Sequence, residues 1–251
     1  MADADLKGLV AQSGVSFVGT VEHAQSDAAA DLPTTEQGAV VVVDEVLHAP
    51  PVLANLAGSR VTLVPSADQP ALQDGQRAVF FANSLAYGET ITLQELARRP
   101  VAQVASEAGV DAAAPGAGVR QIVADLEVET LQSHAAEVEA VILGRVTSLA
   151  KATAMQQPPR EHDPDWWRAT LEVASVAIGK ITRDSVDVLY ANSKDIQWHN
   201  APKPRASQEG VWLLHSTPPE LREVASYMII DPLDYQPSER FPLFAQAQVH
   251  R

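Results

Sequence analysis

The sequence predicts a mainly β protein: two tandem five-stranded β-barrels joined by a helix-containing linker. Three observations lead there. An apolar stretch at 39–50, AVVVVDEVLHAP, returns in altered form at 169–180 as ATLEVASVAIGK. The neighbours of that stretch return too, in the same order. Between the two copies lies an Ala- and Gly-rich segment, followed by apolar residues at helical spacing. Internal repetition of this kind decides architecture before any local reading does.

In the central stretch Val41, Val43 and Val46 align with Leu171, Val173 and Val176. Apolar residues two apart share one side of a strand. The next step is three residues in both copies, which breaks that parity. A bulge or a sharp bend restores it, and small barrels need such bends to close. In copy two Arg168, Thr170 and Glu172 alternate with Ala169, Leu171 and Val173. Copy one is apolar on both sides, so another element is expected to cover part of it.

The remaining elements follow in chain order. Leu6, Leu9 and Val10 place one side of a short helix within 5–13. A strand at 15–22 contains Ser16-Phe17-Val18-Gly19-Thr20-Val21, matched later by Val141-Ile142-Leu143-Gly144-Arg145-Val146. A polar loop over 23–38 leads into the central strand, which Pro50-Pro51 stops. One helical turn is expected over 52–56. Strand 60–64 is matched by 185–189. Asp74-Gly75 turns into strand 76–82, with Phe80-Phe81 placing one ring on each side; Glu209-Gly210 stands before Val211-Trp212-Leu213-Leu214. Gly88 opens a last strand over 90–96. A linker covers 108–118. Val119, Ile122, Val123 and Leu126, continued by Leu131 and Ala135, predict a helix over about 118–134 that packs on one or both barrels.

Copy two begins near Glu137, and its first strand ends by Ser148. A long loop over 150–165 leads to Trp166-Trp167. A second loop, 191–208, is enlarged: 19 positions separate Val61 from Phe80, but 26 separate Val186 from Trp212, leaving seven extra residues. Extra loop length on a repeated scaffold is a usual place for function. A strand over 226–230 closes the copy, and the tail through Phe241 and Phe244 reads equally as a short helix docked on a barrel or as a frayed end. The domain boundaries are therefore 1–107 for the first barrel, 108–136 for the linker and 137–251 for the second barrel and tail.

Composition narrows the function classes. The net charge is -14 and the pI about 4.8. Nucleic-acid binding relies on Lys and Arg displacing counterions from phosphates, so it is not expected. Neither is docking on anionic lipid. With no cysteine there is no disulfide frame and no thiolate metal site. The acidic start has no charged-then-apolar leader, and no apolar run reaches membrane-span length. The expectation is a cytoplasmic protein of bacterial composition, rich in Ala and Arg, without membrane insertion; the alternative is a secreted protein whose signal peptide has been removed, which reads the same.

The order of features is specific enough to compare with a family. It begins with a first strand with a mid-strand glycine, Gly19 or Gly144, followed by a long loop. A V-x-x-V strand follows, Val43-Val46 or Val173-Val176, ending near a small residue, Ala49 or Gly179. A Gly turn, Gly75 or Gly210, then leads into an aromatic-aliphatic strand at Phe80-Phe81 or Trp212. This order resembles the OB-fold group and within it the netrin-like module shared with tissue inhibitors of metalloproteinases. The resemblance implies two OB-like barrels. It implies no functional residue, because the metal-chelating N-terminal cysteine of those inhibitors has no counterpart in this cysteine-free chain.

No nucleophile elbow, phosphate-cradling loop or His-Glu-x-x-His pattern is present. Seven histidines are spread along the chain, no two at a familiar ligand spacing, and read as surface imidazoles. His162-Asp163-Pro164-Asp165 reads as a solvated acidic turn. No catalytic residue, metal ligand or cofactor is expected. The notable cluster is Trp166, Trp167 and Trp198 with His199, in or beside the two long loops of copy two. Arg160, Lys194, Lys203 and Arg205 surround it in a chain short of positive charge. Barrels of this type bind ligands through loops at these places, and Trp and Arg are enriched at interaction hot spots. The expected function is a non-enzymatic binding or assembly module, a subunit meeting a protein partner through the second barrel. Alternatives are oligosaccharide or peptide binding at the Trp loops, and a metal-dependent hydrolase assembled from His162 and His199.

Overall fold

The computed structural model describes residues 5–26, 38–87, 91–111, 115–152, 164–193 and 195–245. The chain divides into two compact units, Met1–Glu127 and Val128–Arg251. In the first, helix α1 (Leu6–Gln12) precedes strands β1 (Val15–Ser26), β2 (Gly38–His48), β3 (Arg60–Val64), β4 (Arg77–Tyr87) and β5 (Ile91–Arg99); helices α2 (Val101–Glu107) and α3 (Pro115–Ala135) follow. The second holds β6 (Ala140–Lys151), β7 (Trp166–Ile178), β8 (Ser185–Ala191), β9 (Glu209–Ser216), β10 (Tyr227–Ile229), β11 (Tyr235–Gln236) and α4 (Phe241–Ala245). The unit boundary falls within α3.

Each unit is a closed five-stranded OB-like barrel. The first runs β1-β2-β3-β5-β4, and β4 pairs back onto β1. The second runs β6-β7-β8-β10-β9, with β9 pairing back onto β6. In both, a single pairing is parallel: β3 with β5, and β8 with β10. The repeat read from the sequence is therefore a repeat of topology.

The three-residue step in the central strand is a bulge in both copies. Gly19 pairs with Val43 and Val18 with Glu45, leaving Asp44 unpaired. Gly144 pairs with Val173 and Leu143 with Ser175, leaving Ala174 unpaired. The mid-strand glycines have a shared steric cause. A Cβ on Gly19 would lie 3.0 Å from the Val42 carbonyl oxygen and closer still to Val41 and Phe17. On Gly144 it would lie 2.8 Å from the equivalent Glu172 oxygen. The bulge bends one strand onto the other, and only glycine leaves room.

Phe17, Val41, Val43, Leu63 and Phe80 fill the first barrel, with Phe17 stacked on Phe80. Trp212 takes the place of Phe80 in the second barrel, opposite Ile142, among Leu171, Val188 and Ile229. Phe81 faces the other way, among Leu6, Leu47, Val104 and Val119. The covered part of β2 is thus Leu47, under the helices, while Val40 and Val42 stay partly exposed. Residues of α3 up to Leu126 pack in this first-unit cluster. Leu131 and Ala135 pack in a second-unit cluster with Val141, Leu213 and Phe244 of α4.

Two alignments are corrected. The counterpart of Gly75 is Ser207, not Gly210. Both residues have positive φ, 77° and 62°, and both donate their N–H to the first strand, at Val21 and Val146. Gly210 instead occupies the Ala78 position, since each pairs with the mid-strand glycine. It lacks a side chain because Tyr235 lies against it. The final strand of copy two also does not end at residue 230. Phe80 pairs with Arg98 in the first barrel, and Trp212 pairs with Tyr235 in the second. Asn83 pairs with Gln94, and His215 with Met228. Four steps separate Gln94 from Arg98 and seven separate Met228 from Tyr235. Strands β10 and β11 together therefore stand for β5, interrupted by an excursion three residues longer. Pro232, which has no amide to give to a ladder, sits in that excursion.

Candidate functional site

Trp166 and Trp167 are adjacent on β7 and so point to opposite sides of the sheet. Trp167 packs on the barrel interior, and its Nε1 donates to Asp165 at 3.0 Å. It is part of the wall. Trp166 lies outside, over Leu189, Ala225 and Met228. There it meets Trp198 edge to face, with ring centroids 5.7 Å apart.

Trp198 stands in a turn built by its own polar groups. Asp195 accepts from the Gln197 N–H, and Ser193 accepts from the Asp195 N–H. Lys203 then closes the turn: its Nζ donates to the carbonyls of Trp198, His199 and Ala201 at 3.0–3.2 Å. Lys203 is thus occupied in shaping the loop. Ile196 is 93% exposed at the tip. His199 is exposed, and so is Arg205, whose backbone N–H binds the Gln208 side chain. Arg160, Lys194, His162 and Asp163 lie outside the described residues. The structure brings Trp166 and Trp198 together, leaves Ile196 exposed two residues before Trp198, and turns Trp167 to the barrel interior.

Farther along the outer side of β7 lies a cleft of about 630 Å³ between β7, β8 and the loop before β10. Thr170, Lys180, Arg183, Asp187 and Arg222 are among its lining residues. Thr170 Oγ1 donates to Asp187 at 2.7 Å, and Arg222 Nε donates to the Thr217 carbonyl.

A third constellation was invisible to linear spacing. The excursion between β10 and β11 is a one-turn helix, Pro232–Asp234, with a reciprocal cap between Asp231 and Asp234. It sets Asp234 fully buried beside β9. Asp234 Oδ1 receives His134 Nε2 at 2.7 Å and His215 Nε2 at 2.9 Å. Its Oδ2 accepts the amides of Ile230 and Asp231 at 2.7 and 2.8 Å. Burial pushes the Asp234 carboxyl up; the bonds from His215, Asp231, His134 and Ile230 outweigh it, and the group sits below its usual range. His215 is raised, chiefly by its bond to Asp234 and against the effect of burial. These two histidines are not scattered surface imidazoles. They lie 81 positions apart on α3 and β9, and only the topology unites them.

No family model, curated protein or solved structure matches this chain. Among the described residues, no helix is long and apolar enough to cross a membrane.

Proposed function

We propose that this protein is a non-enzymatic interaction module whose second barrel holds a protein partner against Trp166, Trp198 and Ile196. The observation that carries this is the loop tip: an almost fully exposed Ile196 two residues from a Trp that leans on a second Trp. Exposed aliphatic surface beside half-buried aromatics is the composition of an interface centre. The loop is also fixed in advance by Lys203 and Asp195, so little conformational freedom is lost on binding. The seven extra residues of copy two build this feature.

The test is affinity capture from native lysate, run in parallel with the wild type and with Ile196→Asp. The charged substitution lies at an exposed tip, so the barrel should keep its fold, read from far-UV circular dichroism. Proteins enriched by the wild type and lost with Ile196→Asp are the expected result. Identical captures by the two proteins would overturn the proposal.

A further inference from the structure

The geometry points to a divalent transition-metal site formed by His134, His215 and Asp234, separate from the Trp patch and not dependent on it. One nitrogen of each imidazole and one carboxylate oxygen lie within 4.8 Å of one another, and Nε2 is the atom each ring turns to Asp234. They come from three elements, the last turn of α3, strand β9 and the Pro232–Asp234 turn. Nitrogen donors of this kind favour Zn²⁺ and its neighbours over Mg²⁺ or Ca²⁺.

Three further features suit an ion. Asp234 is oriented from behind, since its second oxygen is held by two backbone amides; outer hydrogen bonds of this type fix ligating carboxylates. The imidazoles keep 12% and 22% of their side chains exposed. That leaves an approach from solvent and room for water as the remaining ligand. Asp231 and Glu137 add negative field at His215, which favours a cation. Tetrahedral bonds of about 2.0–2.1 Å place donor atoms roughly 3.3 Å apart. The present N···O separations of 2.7 and 2.9 Å need to widen by about half an ångström each, and the two imidazole nitrogens, which lie within 4.8 Å of each other, need to draw in by up to about 1.5 Å to reach a tetrahedral edge. Each imidazole then presents a lone pair at Nε2 and carries its proton at Nδ1.

The test uses the full chain, stripped with chelator and titrated with Zn²⁺ by calorimetry, with Trp-detected melting in parallel. One Zn²⁺ per chain is expected, with a rise in the melting temperature. Loss of a ligand in His134→Gln or His215→Gln should weaken binding by about tenfold or more. A Co²⁺-loaded sample should show the visible bands of a low-symmetry site, and these should vanish in both variants. Zn²⁺ binding that is unchanged in the double variant, or no saturable binding in the wild type, would overturn the inference. The cluster would then be a metal-free hydrogen-bond clamp.

Discussion

The strongest quantitative prediction concerns a charge pair inside the first barrel. Glu95 and Arg98 lie three apart on β5, a spacing that would normally put them on opposite sides. A register shift between the Glu95 and Ala97 pairings leaves Leu96 bulged and turns both inward. Their side chains are 0% and 5% exposed. Arg98 Nη1 donates to both Glu95 oxygens at 2.7 and 2.9 Å. Glu95 also accepts the Ser66 amide, and Arg98 Nη2 donates to the Pro70 carbonyl. The pair ties the β3–β4 loop to the barrel. Arg98→Met strands a buried carboxylate with one remaining donor. Glu95→Met strands a buried guanidinium. Each should cost about 3–5 kcal/mol. The double replacement removes both charges and leaves only the Ser66 amide and Pro70 carbonyl short of a partner, for about 1–2 kcal/mol. The double variant should therefore be more stable than either single one. The assay is urea unfolding followed by far-UV circular dichroism. All four tryptophans lie in the second unit, so Trp emission serves as an internal control and should not move. Single variants costing under about 1 kcal/mol, or a double variant whose loss equals the sum, would refute the reasoning.

Three predictions for the second unit are all read by Trp emission. Ser207→Gly should raise stability by about 0.5–1 kcal/mol, because Ser207 holds a φ of 62° that glycine adopts without strain; a destabilised variant would count against it. Gly144→Ala should cost about 1–3 kcal/mol, since the new Cβ meets the Glu172 carbonyl oxygen; a neutral result would show that the bulge yields. In chelator, stability should depend on pH from both sides. His215 is raised above its usual 6.5, so its contribution is full below 6.5 and is lost as pH rises through its folded value. Asp234 is held below 3.8, so its contribution is present above 3.8 and is lost as pH falls through its folded value. The slope above pH 6.5 should not exceed about 1.4 kcal/mol per pH unit, and His215→Gln should abolish it; a wild type flat from pH 6.5 upward contradicts the assignment.

The barrels were legible because their signals are local or repeated. The V-x-x-V step exposes a bulge, the mid-strand glycines mark where strands crowd, and two copies let each signal vouch for the other. The β10–β11 interruption was not legible, because a two-residue strand such as β11 has no periodicity to read. Helix α2 is hard to see in the sequence for a similar reason: its two turns after Pro100 carry little more than Val101, Val104 and Ala105 as an apolar side. At the candidate sites composition pointed to Trp166 and Trp198 but could not separate them from Trp167, whose opposite direction depends on strand phase. Nothing in sequence spacing links His134, His215 and Asp234.

The two departures of copy two from the shared plan coincide with its two candidate sites. The first is the insertion between β8 and β9, which carries Ile196 and Trp198. The second is the excursion that splits β5's counterpart into β10 and β11 and delivers Asp234 to His215. In the first barrel the same strand runs unbroken for nine residues, and its Glu95–Arg98 pair spends its polar groups on holding a loop. One copy thus uses the strand for stability. The other breaks it, with Pro232 ending the ladder and Asp231 capping the turn, and so exposes a carboxylate to two imidazoles. A duplicated fold can diverge this way because strand pairing on either side of the excursion resumes in register, Trp212 opposite Tyr235 as Phe80 is opposite Arg98. The barrel absorbs three extra residues as a turn, and chemistry becomes available where the first copy has only structure.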